Sequence, residues 1–420
     1  MNSVQSSVTS DQLEGKRPLP QGWGWTTLGE SCDIVLGQSP SSDTYNIDGN
    51  GLPFYQGKAE FGDLYPTPEK WCSSPKKIAE ENDILITVRA PVGPTNLCPE
   101  KSCIGRGLAA IRPRNGMPTK FFLYFLRYIE KEWDSKATGT TFKAITGDVL
   151  RDQEIPLPPL PEQERIVARL EELLSDLEAG VAALELVRAG VKRFKASVLK
   201  AACEGKLLES RGAVSSESGL PEGWRWATVG EVSQKIQYGT SEKANLDDSG
   251  IPVLRMGNVQ DGELDYTNLK YLLEDVVPDN LILEPGDLVF NRTNSAELVG
   301  KTAIYKSNHP KATFASYLIR VKMVSDCSPD YVSYYINSVH GRSYISSVVS
   351  QQVGQANVNG TKLSNMPIPL PPTEEQRRIV AEVERRLESA RAVESAVEVE
   401  LKRARRLRQA VLRSAFEGRL

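Results

Sequence analysis

One stretch of this sequence occurs twice, and that duplication constrains the fold more than any other feature. The stretch runs from Pro161 to Leu207 and again from Glu374 to Leu420. Ile155-Pro156-Leu157-Pro158-Pro159 leads into the first copy and Ile368-Pro369-Leu370-Pro371-Pro372 into the second. Gln163-Glu164-Arg165-Ile166-Val167 returns as Gln376-Arg377-Arg378-Ile379-Val380, and Glu204-Gly205-Lys206-Leu207 as Glu417-Gly418-Arg419-Leu420. The offset is 213 from Ile166 to Ile379 and again from Leu207 to Leu420, so neither copy carries an insertion. One rigid element used twice accounts for that.

Both copies read as long helices. Ile166, Leu170, Leu173, Leu177, Val181, Leu184, Val187, Val191, Phe194 and Val198 recur at steps of three and four, an apolar seam kept over several heptads. The second copy keeps it less perfectly through Ile379, Val383, Leu387, Val393, Val397, Leu401, Leu407 and Val411. Proline before each helix and Gly205 or Gly418 after it supply start and stop signals. A helix of ~60 Å at about 1.5 Å per residue is too long and exposed to stand alone, so the two are expected to pair. Each is acidic early (Glu162, Glu171, Glu172; Glu374, Glu375, Glu382) and basic late (Lys192, Arg193, Lys195; Lys402, Arg403, Arg405). Antiparallel pairing sets acid against base at both ends, whereas parallel pairing sets like against like. An antiparallel pair of repeats also implies an approximate two-fold axis.

The repeat extends beyond the helix. Leu19-Pro20-Gln21-Gly22-Trp23-Gly24-Trp25 returns as Leu220-Pro221-Glu222-Gly223-Trp224-Arg225-Trp226. The expected organisation is a flexible tail over 1–18, a globular region over 19–155, a first spacer helix over 156–207, a linker over 208–219, a second globular region over 220–367 and a second spacer helix over 368–420. The globular regions hold short β-like runs separated by Gly, Pro, Asn and Asp. The runs Asp83–Arg89 and Asp287–Arg292 occupy corresponding places, each ending in Arg before a polar loop. The class is therefore α+β.

The chain has 420 residues, 25% of them charged, and a net charge of −3. No run is apolar enough for a membrane span, and the first residues show no signal peptide. Six cysteines without paired spacing fit reduced thiols in the cytoplasm. Gly105-Arg106-Gly107-Leu108-Ala109-Ala110 matches a dinucleotide fingerprint, but Pro113 cuts off the helix such a site needs. Glu204-Gly205-Lys206 serves as a helix stop rather than a nuclease motif. P-loop, HExxH and Gly-x-Ser-x-Gly patterns are absent. With only His309 and His340 present, no catalytic constellation emerges.

Polar tips carry more. Asn291, Arg292, Thr293, Asn294 and Ser295 place donors and acceptors on one loop; Arg suits guanine edges and Asn suits adenine. Lys58, Lys76, Lys77, Arg89, Arg106, Thr141 and Lys143 in the first region, with Arg255, Asn258, Lys301, Lys311 and Gln355 in the second, are candidates for phosphate or base contacts. Surface Lys and Arg are common, so the duplicated arrangement says more than any residue in it.

The twin L-P-x-G-W-x-W starts, I-P-L-P-P-x-x-E-Q-x-R-I-V lead-ins and E-G-[KR]-L ends resemble the specificity subunit of type I restriction-modification systems, over about residues 19–420. The resemblance implies two target recognition domains and an antiparallel coiled-coil spacer with pseudo-two-fold symmetry. The spacer would act as a ruler and dock two modification (methyltransferase) subunits, with Gln163, Arg165, Gln376 and Arg378 as candidate spacer or partner residues. It further implies a split, asymmetric site on double-stranded DNA and a role in phage defence, with or without two restriction (translocase) subunits. S-adenosylmethionine would belong to the modification subunits, ATP and Mg to the restriction subunits, and no cofactor, metal or catalytic residue to this chain. A scaffold holding two protein-binding domains, with no DNA role, is the alternative that the acidic pI of about 5.8 suggests.

Overall fold

The computed structural model of the chain describes residues 18–139, 143–208, 219–295, 297–352 and 355–420. Two compact units divide it, Met1–Leu184 with Val399–Leu420, and Glu185–Glu398. Two helices of 44 residues, Leu160–Cys203 and Thr373–Phe416, each contribute one half to either unit. Among the described residues no helix is long and apolar enough to cross a membrane.

The duplicated motifs become local structures in each unit. Pro20-Gln21-Gly22-Trp23 is a tight turn in which the Trp23 N–H donates to the Pro20 carbonyl (3.1 Å) and Gly22 takes φ 86°. Its counterpart joins Trp224 to Pro221 (3.0 Å), with Gly223 at φ 82°. Glycine at the third turn position is what a left-handed φ there demands. The following Trp-x-Trp strand then pairs antiparallel with the Ile-Pro-Leu lead-in: Trp25 lies opposite Pro156 in the first unit, Trp226 opposite Pro369 in the second. A two-stranded ribbon tolerates these prolines because one side of each strand has no neighbour to bond. Thr27 and Glu30 form a reciprocal capping box on the next turn, and Thr228 and Glu231 make the same two bonds.

Each unit has a four-stranded antiparallel sheet with one strand order. In the first it runs Cys32–Leu36, Leu108–Pro113, Ile84–Thr87, Thr95–Leu97; in the second Ser233–Tyr238, Leu318–Met323, Leu288–Asn291, Thr302–Ile304. Thr87 faces Leu108 as Asn291 faces Leu318. A further sheet in each contains one parallel pair, Phe54 beside Cys103 and Val253 beside Thr313. Asp83 and Asp287 both accept from a backbone N–H three residues earlier, of Glu80 and Glu284 (2.8 Å each). The fold is α+β.

Helix packing explains the repeated apolar positions. In the first unit Ile166, Leu170 and Leu174 join a core with Leu412, Ala415 and Phe416, and Phe416 lies edge-on to Phe121 and Phe125. In the second, Val198, Ala202 and Cys203 join Ile379 and Val383. The early part of one helix thus packs with the late part of the other in both units, which makes the pairing antiparallel. Glu178–Arg408 (3.4 Å), Arg188–Glu398 (3.3 Å) and Lys195–Glu394 are the cross-helix ion pairs among the described residues. Many of the remaining charges pair within their own helix, as Glu162 does with Arg165 and Glu382 with Arg385. Exposed pairs contribute little, so the buried seam does more to hold the helices together. Two predicted seam residues of the first helix and two of the second are exposed: Val187 and Phe194 are each 44% exposed, Val393 45% and Leu407 49%. Val187, Phe194 and Val393 line one shallow apolar cleft with the buried Val191 and Ala390, so the seam is open to solvent there.

Candidate nucleic-acid interface

The recognition candidates divide by burial. Asn258 is buried; its side chain accepts from the Arg255 N–H (2.9 Å) and donates to the carbonyls of Asp265 (2.8 Å) and Thr267 (3.1 Å). Glu60 makes the corresponding bond to the Gly57 N–H in the first unit (3.0 Å), so this position braces a turn. Asn291 is fully buried beside the Met256 carbonyl (3.4 Å), and the Thr293 hydroxyl accepts from Asn357 Nδ2 (2.7 Å). Burial removes Asn258, Asn291 and Thr293 from any surface a duplex could touch, contrary to the sequence reading. Asn294 uses its carbonyl oxygen on the Ser295 N–H (2.8 Å), and Ser295 and Gln355 are exposed.

The sequence also names Gln163 and Gln376 as spacer or partner residues; the structure buries both, which takes them out of reach of a partner and leaves the spacer role. Gln163 Nε2 donates to the Pro158 carbonyl (2.9 Å), and Gln376 Nε2 to the Pro371 carbonyl (2.9 Å). Gln376 also accepts from the Ser328 N–H (2.7 Å) and donates to the Asp326 carbonyl (3.3 Å). The repeated glutamine is a brace for the double-proline lead-in. Arg165 pairs with Glu162 (2.7 Å) and donates to the Leu420 carbonyl (3.0 Å), while Arg378 is exposed.

In the first unit, Arg89, Arg106 and Lys143 converge at one end of the four-stranded sheet. The Val88 N–H donates to the Gly107 carbonyl (2.9 Å), the Ala90 N–H to the Lys143 carbonyl (3.1 Å), and Arg89 bridges to Ala144. Arg89 and Arg106 are exposed and form no ion pair among the described residues; Lys143 is held by Asp134 (2.6 Å). Lys76 and Lys77 are exposed, the Lys77 carbonyl accepting from the Ile104 N–H (3.0 Å). Lys58 lines a separate cleft of about 570 Å³ with Arg127, Arg405 and Arg408. Burial lowers the Arg127 pKa, and the neighbouring Arg408 adds to that. Thr141 lies outside the described residues.

The matching end of the second unit's sheet carries different chemistry. The Arg292 N–H donates to the Tyr317 carbonyl (3.0 Å), as Val88 does to Gly107. Thr293 faces Asn357 as Arg89 faces Ala144. Arg292 therefore stands where the first unit has Val88, and Arg89 where the second has Thr293: the two run-ending arginines are one position out of step. A cleft of about 490 Å³ adjoins this end, lined by Arg255, Ser316 and Tyr317 among others. Arg255 donates to the Asn268 carbonyl. Lys301 lies against Gln260 (3.1 Å) and Lys311 pairs with Glu274. Below, the Asp287–Arg320 pair (3.3 Å) is buried; burial raises the Asp287 pKa against the pull of Arg320. Among the described residues no cluster of His, Cys, Asp and Glu could hold a metal.

Sequence reasoning missed Tyr238 and Tyr317, which flank Arg292. Only the sheet register shows that these three positions, distant in sequence, share one strand end.

The family model for the type I restriction modification DNA specificity domain matches residues 20–185 and 221–402. The MjaX type I restriction enzyme specificity subunit of Methanocaldococcus jannaschii is 47% identical over 155 residues, 36% of each chain. The EcoKI specificity subunit of Escherichia coli K12 is 28% identical over 422 residues, 96% of this chain and 90% of that one. A chain from a solved type I R-M system is 24% identical with a TM-score of 0.74, covering 96% of this chain and 100% of that chain. That likeness bears on the fold. The domain matches each cover one Trp-marked start and one helix lead-in, and leave the non-DNA scaffold reading without support. The chain therefore belongs to the type I restriction modification DNA specificity family, as a non-catalytic specificity subunit.

Proposed function

We propose that each unit reads one half of a bipartite, asymmetric DNA site and that the shared helices set the gap between the halves. One observation carries this reading: an identical strand frame ends in Arg89, Arg106 and Lys143 in one unit and in Arg292, Ser316 and Tyr317 in the other. A common frame with different tips is what two different half-sites call for, since base edges specify and phosphate contacts position. The domains fall at 19–155 and 220–367, with spacers over 156–207 and 368–420.

The helices carry a second, duplicated feature. Leu186 and Phe194 are 71% and 44% exposed; Val399 and Leu407, at the same repeat positions, are 58% and 49% exposed. Exposed apolar pairs repeated this way suit two copies of one partner, here two modification subunits, with restriction subunits joining the larger complex. S-adenosylmethionine then belongs to the modification subunits, and ATP and Mg to the restriction subunits. The assembly works in the cytoplasm, where the six buried free cysteines stay reduced.

The test is a methylome. The chain is expressed with its modification subunit in a methylation-free host, and modified bases are mapped by long-read sequencing. A new bipartite motif that needs this chain is expected. An active methyltransferase complex that yields no such motif defeats the reading. Inserting one heptad in each spacer helix should lengthen the gap and leave both half-sites unchanged.

A further inference from the structure

We infer that Arg292 reads a guanine in the half-site of the second unit, with Tyr238 as its positioning residue. This rests on the DNA-recognition reading above and goes beyond it by assigning a base to a side chain.

Three neighbouring strands end together here. Tyr238 closes Ser233–Tyr238 opposite Ile319, Tyr317 immediately precedes Leu318–Met323, and Arg292 follows Leu288–Asn291. The Arg292 guanidinium carbon lies 4.8 Å from the centre of the Tyr238 ring, and Nη1 donates to the Ser316 carbonyl (3.3 Å). Its backbone is fixed on both sides, by the Tyr317 carbonyl (3.0 Å) and the Val358 N–H (2.9 Å). The platform is pinned too: the Gly360 N–H donates to the Tyr238 hydroxyl (2.7 Å). Tyr238 and Tyr317 stay 43% and 50% exposed, so this end of the sheet remains open.

A guanidinium held over a ring, with Nη1 engaged by the Ser316 carbonyl and Nε buried, offers Nη2 and the outer Nη1 hydrogen as its free pair of donors. Guanine O6 and N7 form the matching two-acceptor edge. A phosphate also takes an oriented fork in a bidentate pair, but it carries no sequence information, so the base preference of the variants separates the two contacts. Pre-organisation of this kind favours selectivity over bare attraction. Several neighbouring candidates are otherwise engaged: Asn291 and Asn258 are buried, and Lys301 and Lys311 lie against acidic or amide partners; Ser295 and Gln355 are exposed but lack a guanidinium's paired donors. The first unit has Leu36, Gly107 and Val88 at the three corresponding positions, so the constellation belongs to one half-site only.

The test uses the full chain with its modification subunit and reads methylation genome-wide for wild type, Arg292→Gln and Tyr238→Leu, with thermal unfolding of each variant recorded. Both variants should relax one G·C pair of one half-site, cutting its selectivity roughly ten- to hundred-fold. The other half-site and the gap should not change. An unchanged motif in both variants overturns the assignment, as does uniform weakening at all sites with base preference intact, which marks a phosphate contact. Should Arg292→Gln fail to fold, Tyr238→Leu decides alone, since it keeps the arginine. A wild-type chain that directs no bipartite motif defeats the underlying reading instead, so the two failures are distinguishable.

Discussion

Gly418 packs directly on Pro20: a Cβ at Gly418 would overlap the proline Cγ, and its φ of 69° already lies in the left-handed region. Gly205 stands in the same relation to Pro221, with φ 65°. Each helix stop is thus seated on the turn that opens a globular region. Replacing either glycine by valine should cost roughly 1–3 kcal/mol through strain and overlap together, read as a lower urea midpoint with unchanged slope.

The same relation predicts that the chain tolerates re-ordering. The contact between helix stop and turn is alike whether a linker joins them, as at Gly205 and Pro221, or not, as at Gly418 and Pro20. A permuted chain opened within 209–218 and closed by a polar linker from residue 420 to residue 18 should direct the wild-type methylation motif. Loss of the motif in a folded permutant would count against equivalent junctions.

Gln376 and Gln163 should differ in cost despite their shared motif. Leucine at 376 strands the Ser328 N–H and the Pro371 carbonyl, at roughly 1–3 kcal/mol for each such group left unpaired, while the Asp326 carbonyl keeps the Thr373 hydroxyl. Leucine at 163 strands the Pro158 carbonyl alone, so Gln376→Leu should lower the urea midpoint further than Gln163→Leu.

His309 gives a pH dependence of definite sign. Its Nδ1 accepts from the Lys306 N–H (3.0 Å), and the ring packs on Tyr266 and Tyr305. Burial, then the Lys306 charge, holds its pKa below the ordinary 6.5. The unfolded chain therefore takes up the proton first. The stability that the neutral ring contributes is complete above 6.5 and is lost as pH falls through the lower native value. Melting temperatures from pH 8 to pH 5 should fall more steeply for wild type than for His309→Gln.

The exposed apolar pairs on the helices should each hold one modification subunit. The double substitution Leu186→Glu with Phe194→Glu should leave a complex with one such subunit, and Val399→Glu with Leu407→Glu should do the same. All four together should leave none, as measured by light scattering of the co-purified complex. Retention of both subunits by the fourfold variant would exclude this surface.

The frame was legible because it is duplicated. Trp-x-Trp, Ile-Pro-Leu and Glu-Gly-[Lys/Arg] each hold a place that sterics or pairing dictate, and repetition, at an offset of 201 for the first and 213 for the other two, made them visible without any structure. The surface was legible only in part. Arg89 and Arg292 look equivalent because each ends an apolar run, yet hydrogen-bond register puts them one residue apart, and a one-residue slip in a strand reverses the face. Asn258 and Asn291 carry the same donors and acceptors whether buried or exposed, so composition could not separate turn braces from surface readers. Val187 and Phe194 matched the helical period and are still 44% exposed.

Phe416 sits among Phe121, Phe125 and Tyr128, roughly 290 residues earlier in the chain. The consequence concerns synthesis on the ribosome. The unit spanning 185–398 is one continuous segment and has its entire core as soon as that segment has emerged. The unit begun first stays open until residues 399–420 arrive, so the unit that starts earlier is finished later. A ribosome that stops short of Phe416 leaves that half without its closing ring, while the other stands complete.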